Sequence, residues 1–363
     1  MAIKEAGEPF LRFLHVSKES LSMLHYLVFL ALYVLWILAL LGFGSTSYII
    51  LHRLLGKKQT VLENHMLITV FGVLGMMVVT AAATIINFLM PVSMNITILI
   101  LVSGILLLGV NREKFLSTLY KWDIVLLCIL AGIIFLSIPL LWREYYDTGL
   151  YHLSAIRWIT DSTTPLGLAN LHNRLGFNNS WFVLAACTDQ WALHTEKPFF
   201  ILNGIVTFFY GSALVLIGKY KFWPIKSDDK PSLHGKNSSN TSNTPGLADI
   251  FLFLSLIPWV GRCGFFLSSV YPDLPIMLFT LLVIYLLIRD LEKMNSVNIY
   301  SVLACIIAAY AVTIKLSSVP LFLGSLLIIV LRNYLAKIRH KKAGLMQVNN
   351  QHSGSYYRSH MPA

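Results

Sequence analysis

Charge is what this chain has least of. Of its 363 residues only 12% are Asp, Glu, Lys or Arg, about half the fraction usual in a soluble domain. That shortage excludes a solvated surface over most of the chain. Cysteine is also sparse: Cys128, Cys187, Cys263 and Cys305 are scattered, mostly inside apolar runs. They form neither a disulfide framework nor a metal-ligand spacing, and read as small buried hydrophobes. GxGxxG, Walker and HExxH patterns are missing, and so is any internal repeat. A signal peptide is missing too. Residues 1–20 mix Lys4, Glu5, Glu8, Arg12, Lys18 and Glu19 with apolar positions, the apolar run starts late, and no small-residue cleavage site follows it.

What is present is apolar. The chain is 56% hydrophobic with a mean hydropathy of +0.69, and several runs reach the ~20 residues that cross a hydrocarbon core. The expectation is an all-α integral membrane protein, since a β-barrel would need alternating strands of about ten residues. Nine spans are predicted, near residues 23–51, 66–89, 93–110, 124–141, 198–217 and 249–270, then from the YPDLP turn to about 288, and near 299–314 and 319–330, within a membrane domain of 21–335. The Ser/Asn/Thr/Gly/Pro-rich stretch 219–247 reads as a flexible linker, and 336–363 as a basic, polar, disordered tail.

The formal charge of +11 does not point to nucleic acid, because of where it sits. In this topology 19 of the 28 Lys and Arg fall on one side, 8 on the other and one inside the membrane. The positive-inside bias assigns the richer side, with the linker, to the cytoplasm. The long 142–197 loop then faces outward, and the chain is expected in a bacterial inner membrane.

That loop is the one long polar, aromatic and titratable stretch outside a tail or linker. Leu150, Leu153, Ile156 and Ile159 recur at helical spacing, with Tyr151, Ser154, Arg157 and Asp161 toward the other side, so an amphipathic helix over 148–160 is predicted to lie along the membrane surface. Asp147 opens it. Two compatible readings are open: an N-cap accepting from free backbone N–H groups, or a general base aimed at an acceptor hydroxyl. Three further positions are predicted to converge on the same boundary. Asp273 lies in the turn SSVYPDLP, Lys315 ends the eighth span, and Arg262 sits about two thirds of the way across the sixth. An arginine at that depth is costly unless paired or hydrated, or it snorkels to the interface. Lys315 alternatively reads as an interfacial anchor and Asp273 as turn chemistry beside Pro272. The loop aromatics suit either an interface belt or sugar stacking. His152, His172 and His194 match no short ligand motif, so the sequence supports no metal or cofactor, although it leaves a divalent cation open.

An Asp opening a helix in the first large external loop with Tyr151 at i+4, then YPDLPIMLF, then AVTIKLSSVPLFL, occur in that order over about residues 142–335. This resembles the GT-C superfamily of polyprenyl-phosphate-sugar glycosyltransferases, in the branch of the protein mannosyltransferases and aminoarabinose transferases. NLHNRLGFNNSWF looks like a related bacterial group of multipass membrane proteins. The chain departs from the branch in having Thr148, not a second acid, after Asp147, and it reads as a short or truncated member. The resemblance implies a polyprenyl-phosphate-linked sugar donor among the membrane lipids, with Asp147 as the base and Lys315 and Arg262 on the leaving phosphate. Asp273, Tyr151, His152, Arg174 and Asn178 would grip the donor sugar or acceptor. Two rival readings are a transporter of lipid-linked saccharides, which would often show repeats and several intramembrane polar residues, and a non-catalytic subunit of an envelope assembly.

Overall fold

The computed structural model describes residues 18–56, 62–117, 119–141, 145–176, 179–190, 200–223, 244–293 and 298–358. Among these every regular element is a helix, as expected where backbone N–H and C=O groups must be satisfied within one segment. Twelve helices carry the description below. α1 (Lys18–Leu55), α2 (Asn64–Leu89), α3 (Met94–Val110) and α4 (Lys121–Leu140) come first. The loop contributes α5 (Leu153–Asp161) and α6 (Ser180–Thr188). Then follow α7 (Leu202–Ile217), α8 (Leu247–Leu254) and α9 (Leu256–Phe266) as one apolar run, α10 (Asp273–Lys293), α11 (Ile299–Ile314) and α12 (Val319–Arg358).

Seven helices among the described residues are long and apolar enough to cross a membrane, and the chain is a membrane protein. Two of the nine expected spans are shorter: α3 has 17 residues and α11 has 16, about 25 Å of rise against a core of ~30 Å. The C-terminal expectation is corrected. α12 does not give way to a disordered tail at 336 but continues as helix to Arg358. Once a span has nucleated the helix, each added residue contributes a hydrogen bond without a new nucleus, and Ala336, Lys337, Lys341, Lys342, Leu345 and Met346 are good helix formers.

In lipid, helices associate by close packing and buried polar contacts more than by hydrophobic contrast. α1 meets α2 and α3 at glycines: a Cβ on Gly75 would stand 2.0 Å from the Leu40 carbonyl oxygen, and one on Gly104 2.6 Å from that of Ala39. Any side chain there would push the helices apart.

The two ends of the bundle are chemically distinct. One end, where α7 hands over to α8, is tied by charge. Arg289 of α10 pairs with Glu63, with Glu292 at 2.7 Å and with Asp249 at 3.2 Å, and Lys219 meets Asp123 at 2.5 Å. The opposite end carries the 145–190 segment. It is not a strap across the surface. α6 is buried from Trp181 to Thr188 except at half-buried Val183, wedged among α2, α5 and α11. Asn203 at the start of α7 accepts from Trp181 Nε1 at 3.2 Å and donates to the carbonyls of Phe266 at 2.8 Å and Tyr271 at 3.2 Å. Asn87, buried at the end of α2, donates to the carbonyls of Ile159 and Ser162, both at 3.0 Å.

Candidate active site around Asp147

The helix predicted over 148–160 forms, but it begins with a π-turn at Thr148–His152 before continuing as α5. A π-turn inserts one residue and rotates what precedes it by roughly 100°. Leu150, expected on the buried face, is therefore 36% exposed, and His152 takes the inward place at 0% beside Ile156. The surface-helix expectation is corrected accordingly: α5 packs against α6, is tied to the end of α2 by Asn87, and buries Ile156 and a histidine.

Asp147 is not an N-cap, for its side chain bonds no backbone N–H of the following turn. It points instead across the loop. Its Oδ1 accepts from Arg174 Nη1 and its Oδ2 from the Tyr271 hydroxyl, both in close contact. Tyr271 belongs to the turn between α9 and α10, so Asp147 joins three stretches that are far apart in sequence. The Arg174 guanidinium lies over the Tyr151 ring, 5.2 Å from its centroid. His152 is enclosed by the rings of Tyr151 at 4.4 Å, Phe182 at 4.9 Å and Tyr271 at 5.0 Å. Neither of its ring nitrogens has a hydrogen-bond partner among the described residues.

Electrostatics follow from this geometry. The Tyr271 hydroxyl, then the bond and charge of Arg174, hold the Asp147 carboxyl below the usual carboxylate range, against the effect of partial burial. Burial and the Asp147 carboxylate push the Tyr271 phenol up. Burial takes His152 down to about 4, although Asp147 and Asp273 pull the other way, so the imidazole is neutral near pH 7. That Asp273 acts on Tyr151, His152 and Tyr271 places its carboxylate at the same site. It pairs with Lys315 at 2.5 Å, both side chains nearly half exposed.

The structure thus brings together Asp147, Tyr151, His152 and Arg174, with Asp273 and Lys315 beside them. Arg262 does not reach the carboxylates. It is exposed on α9 with its guanidinium over the Phe266 ring at 5.9 Å, and Phe266 in turn contacts Tyr271 at 5.1 Å and Tyr145 at 5.8 Å. Asn178 lies outside the described residues. Tyr271 was overlooked in the sequence, although it stands two residues before Asp273 in the same turn. Asn203 was overlooked as well; a lone amide inside an apolar span was its one signal.

A cluster with metal-ligand chemistry, Glu63, His65 and Asp249, has its ligand atoms within 4.8 Å of one another, but it lies at the opposite end. Arg289 already bridges both carboxylates there, and His65 Nε2 is 3.2 Å from the Tyr285 hydroxyl. An added cation would face a guanidinium, so this group does not fit a metal.

The family described as Domain of unknown function (DUF8201) matches residues 23–347. No curated protein and no solved structure matches the chain.

Proposed function

We propose that this chain, which belongs to the DUF8201 family, is a GT-C-type membrane glycosyltransferase that moves a sugar from a polyprenyl-phosphate donor to an envelope glycan, lipid or protein. The observation that carries the reading is the Asp147 constellation. An ionised carboxylate meets a guanidinium, a phenol and a neighbouring Lys–Asp pair, all at the end of the bundle that holds the polar loop. In this reading nine helices span the membrane, and the 19-to-8 basic asymmetry puts the site on the extracytoplasmic face.

The chemistry follows from what inverting transfer requires. The acceptor oxygen forms a bond to the anomeric carbon as the bond from that carbon to the donor phosphate breaks. The acceptor proton passes to Asp147, and the departing phosphate takes the electron pair. Arg174 and Lys315 supply positive charge where that negative charge grows. Tyr151 and Tyr271, the half-buried rings of the site, offer faces for a sugar, and Asp273 orients Lys315. The positive charge comes from side chains, so the reading calls for no cofactor.

Asp147→Asn tests it directly. The substitution keeps size and a hydrogen-bond acceptor for Tyr271 but removes the base, an effect of roughly 10²–10⁴-fold on rate. Transfer of labelled sugar from polyprenyl phosphate in reconstituted liposomes should fall by that factor, with no loss of donor binding. Full turnover by Asp147→Asn would end the assignment.

A further inference from the structure

Asp147 is held from two sides by groups of very different anchorage. Tyr271 is fixed. Its carbonyl accepts from Asn203 at 3.2 Å, its N–H donates to Ser269 Oγ at 3.2 Å, and its ring packs against Tyr145, Phe266 and His152 at 5.0–5.6 Å. Arg174 is not. It sits in the short turn Asn173–Gly176, next to Leu168–Leu171, and neither segment contains a buried residue. Its side chain is 41% exposed. Among the described residues, the guanidinium contacts that hold it are with Asp147 and Tyr151. A rigid donor and a movable one therefore share a single carboxylate.

Charge sharpens the asymmetry. The groups acting on Asp147 are Tyr271 from the turn before α10, Arg174 from the loop, and neutral His152 from the π-turn, with Tyr151 of the same π-turn beside them. The Asp273–Lys315 pair, from α10 and the end of α11, adjoins them through Tyr151, His152 and Tyr271. Among the described residues, these two carboxylates and two cations make a set with no net charge. A phosphate has greater charge density than a carboxylate and matches the forked guanidinium geometry. It would compete for Arg174 and Lys315, whose side chains are both more than two-fifths exposed. A carboxylate paired with a guanidinium is also a weak base, because the pairing stabilises its ionised form.

We infer that Arg174 is an exchangeable clasp. It holds Asp147 in the arrangement described here and leaves it for the phosphate of a lipid-linked donor, so that the donor must bind before Asp147 can deprotonate an acceptor. This rests on the transferase reading and adds the order of binding to it. The proton inventory is simple. Arg174 stays protonated throughout, the phosphate replaces one carboxylate as its partner, and Asp147 is left ionised with Tyr271 as its remaining donor.

The test is binding, not turnover. The full chain is reconstituted in phosphatidylcholine nanodiscs, and retention of labelled polyprenyl phosphate is titrated. If Asp147 competes with phosphate for Arg174, then Asp147→Asn should bind the phosphate more tightly, by about tenfold, because the competitor has lost its charge. Arg174→Gln should weaken binding by a similar factor, and the double variant Asp147→Asn/Arg174→Gln should show no gain, since the two effects act through one pair. Tyr271→Phe strips Asp147 of its other donor, tightens its hold on Arg174, and should weaken binding several-fold; it carries the test if Asp147→Asn does not fold. A normally melting Asp147→Asn that binds no more tightly than the native chain overturns the clasp and leaves the transferase reading standing. A second arm replaces polyprenyl phosphate with phosphatidylglycerol. A gain there, with no retention of polyprenyl phosphate by the native chain, keeps the exchange and removes the sugar donor. Retention of neither lipid overturns both.

Discussion

At the scale of single residues, His152 is the informative one. Folding places it at 0% exposure among three rings, where protonation costs more than in water, and its pKa falls from 6.5 to about 4. Between those values only the unfolded chain binds the proton, so stability falls as pH drops through that window and the loss is complete below about 4. Asp147 acts in the same sense but in a different window. Its depressed pKa contributes stability above the ordinary carboxylate range, lost only in stronger acid. A His152→Phe variant keeps the ring packing and removes the titration. Its melting temperature should therefore drop less between pH 7.5 and pH 5 than that of the native chain. Equal drops would show that His152 is not the group responsible.

At the scale of elements, the site depends on how the loop is pinned to the helix ends. The π-turn at Thr148–His152 turns His152 inward, and the Asn87 side chain fixes the far end of α5. Asn203 does the same for the turn that carries Tyr271, through one accepted and two donated hydrogen bonds. Removing a side chain that satisfies buried partners costs about 1–3 kcal/mol. Asn203→Ala should lose at least that in a denaturation experiment in detergent. Because the Tyr271 carbonyl is one of its acceptors, Asn203→Ala should also lose donor affinity, whereas a surface change such as Ser103→Ala should change neither. Loss of stability with native donor binding would show that Asn203 supports the fold without positioning the site.

At the scale of the whole molecule, the bundle is polarised. One end is closed by Glu63, Asp249, Arg289, Glu292 and Lys293 in a shared ion-pair network. The other end holds the Asp147 constellation and the wedge of α6. The topology that places the constellation outside predicts a labelling pattern. In a background without Cys128, Cys187, Cys263 and Cys305, Ser162→Cys should react with an impermeant thiol reagent in intact cells, and Ser239→Cys in the linker should react only after lysis. The reverse pattern would move the constellation to the cytoplasmic face and remove an outward-facing reaction.

Length and hydropathy alone determined that this is a helical membrane protein, because twenty apolar residues in a row leave few other ways to satisfy a backbone in lipid. They also marked the 142–197 loop, since polar and titratable residues are costly there without a use, and they singled out Asp147, Asp273 and Lys315. The sequence did not determine which partners those residues take. The pairing of Asp147 with Tyr271, 124 positions away, depends on which helix ends the bundle brings side by side. The inward turn of His152 depends on one inserted residue in a π-turn, which no periodicity reveals. The outward placement of Arg262 depends on which face of α9 its neighbours leave uncovered. Local pattern sets helices and their apolar surfaces, whereas contacts between helix ends are long-range, and only the packed tertiary structure decides them.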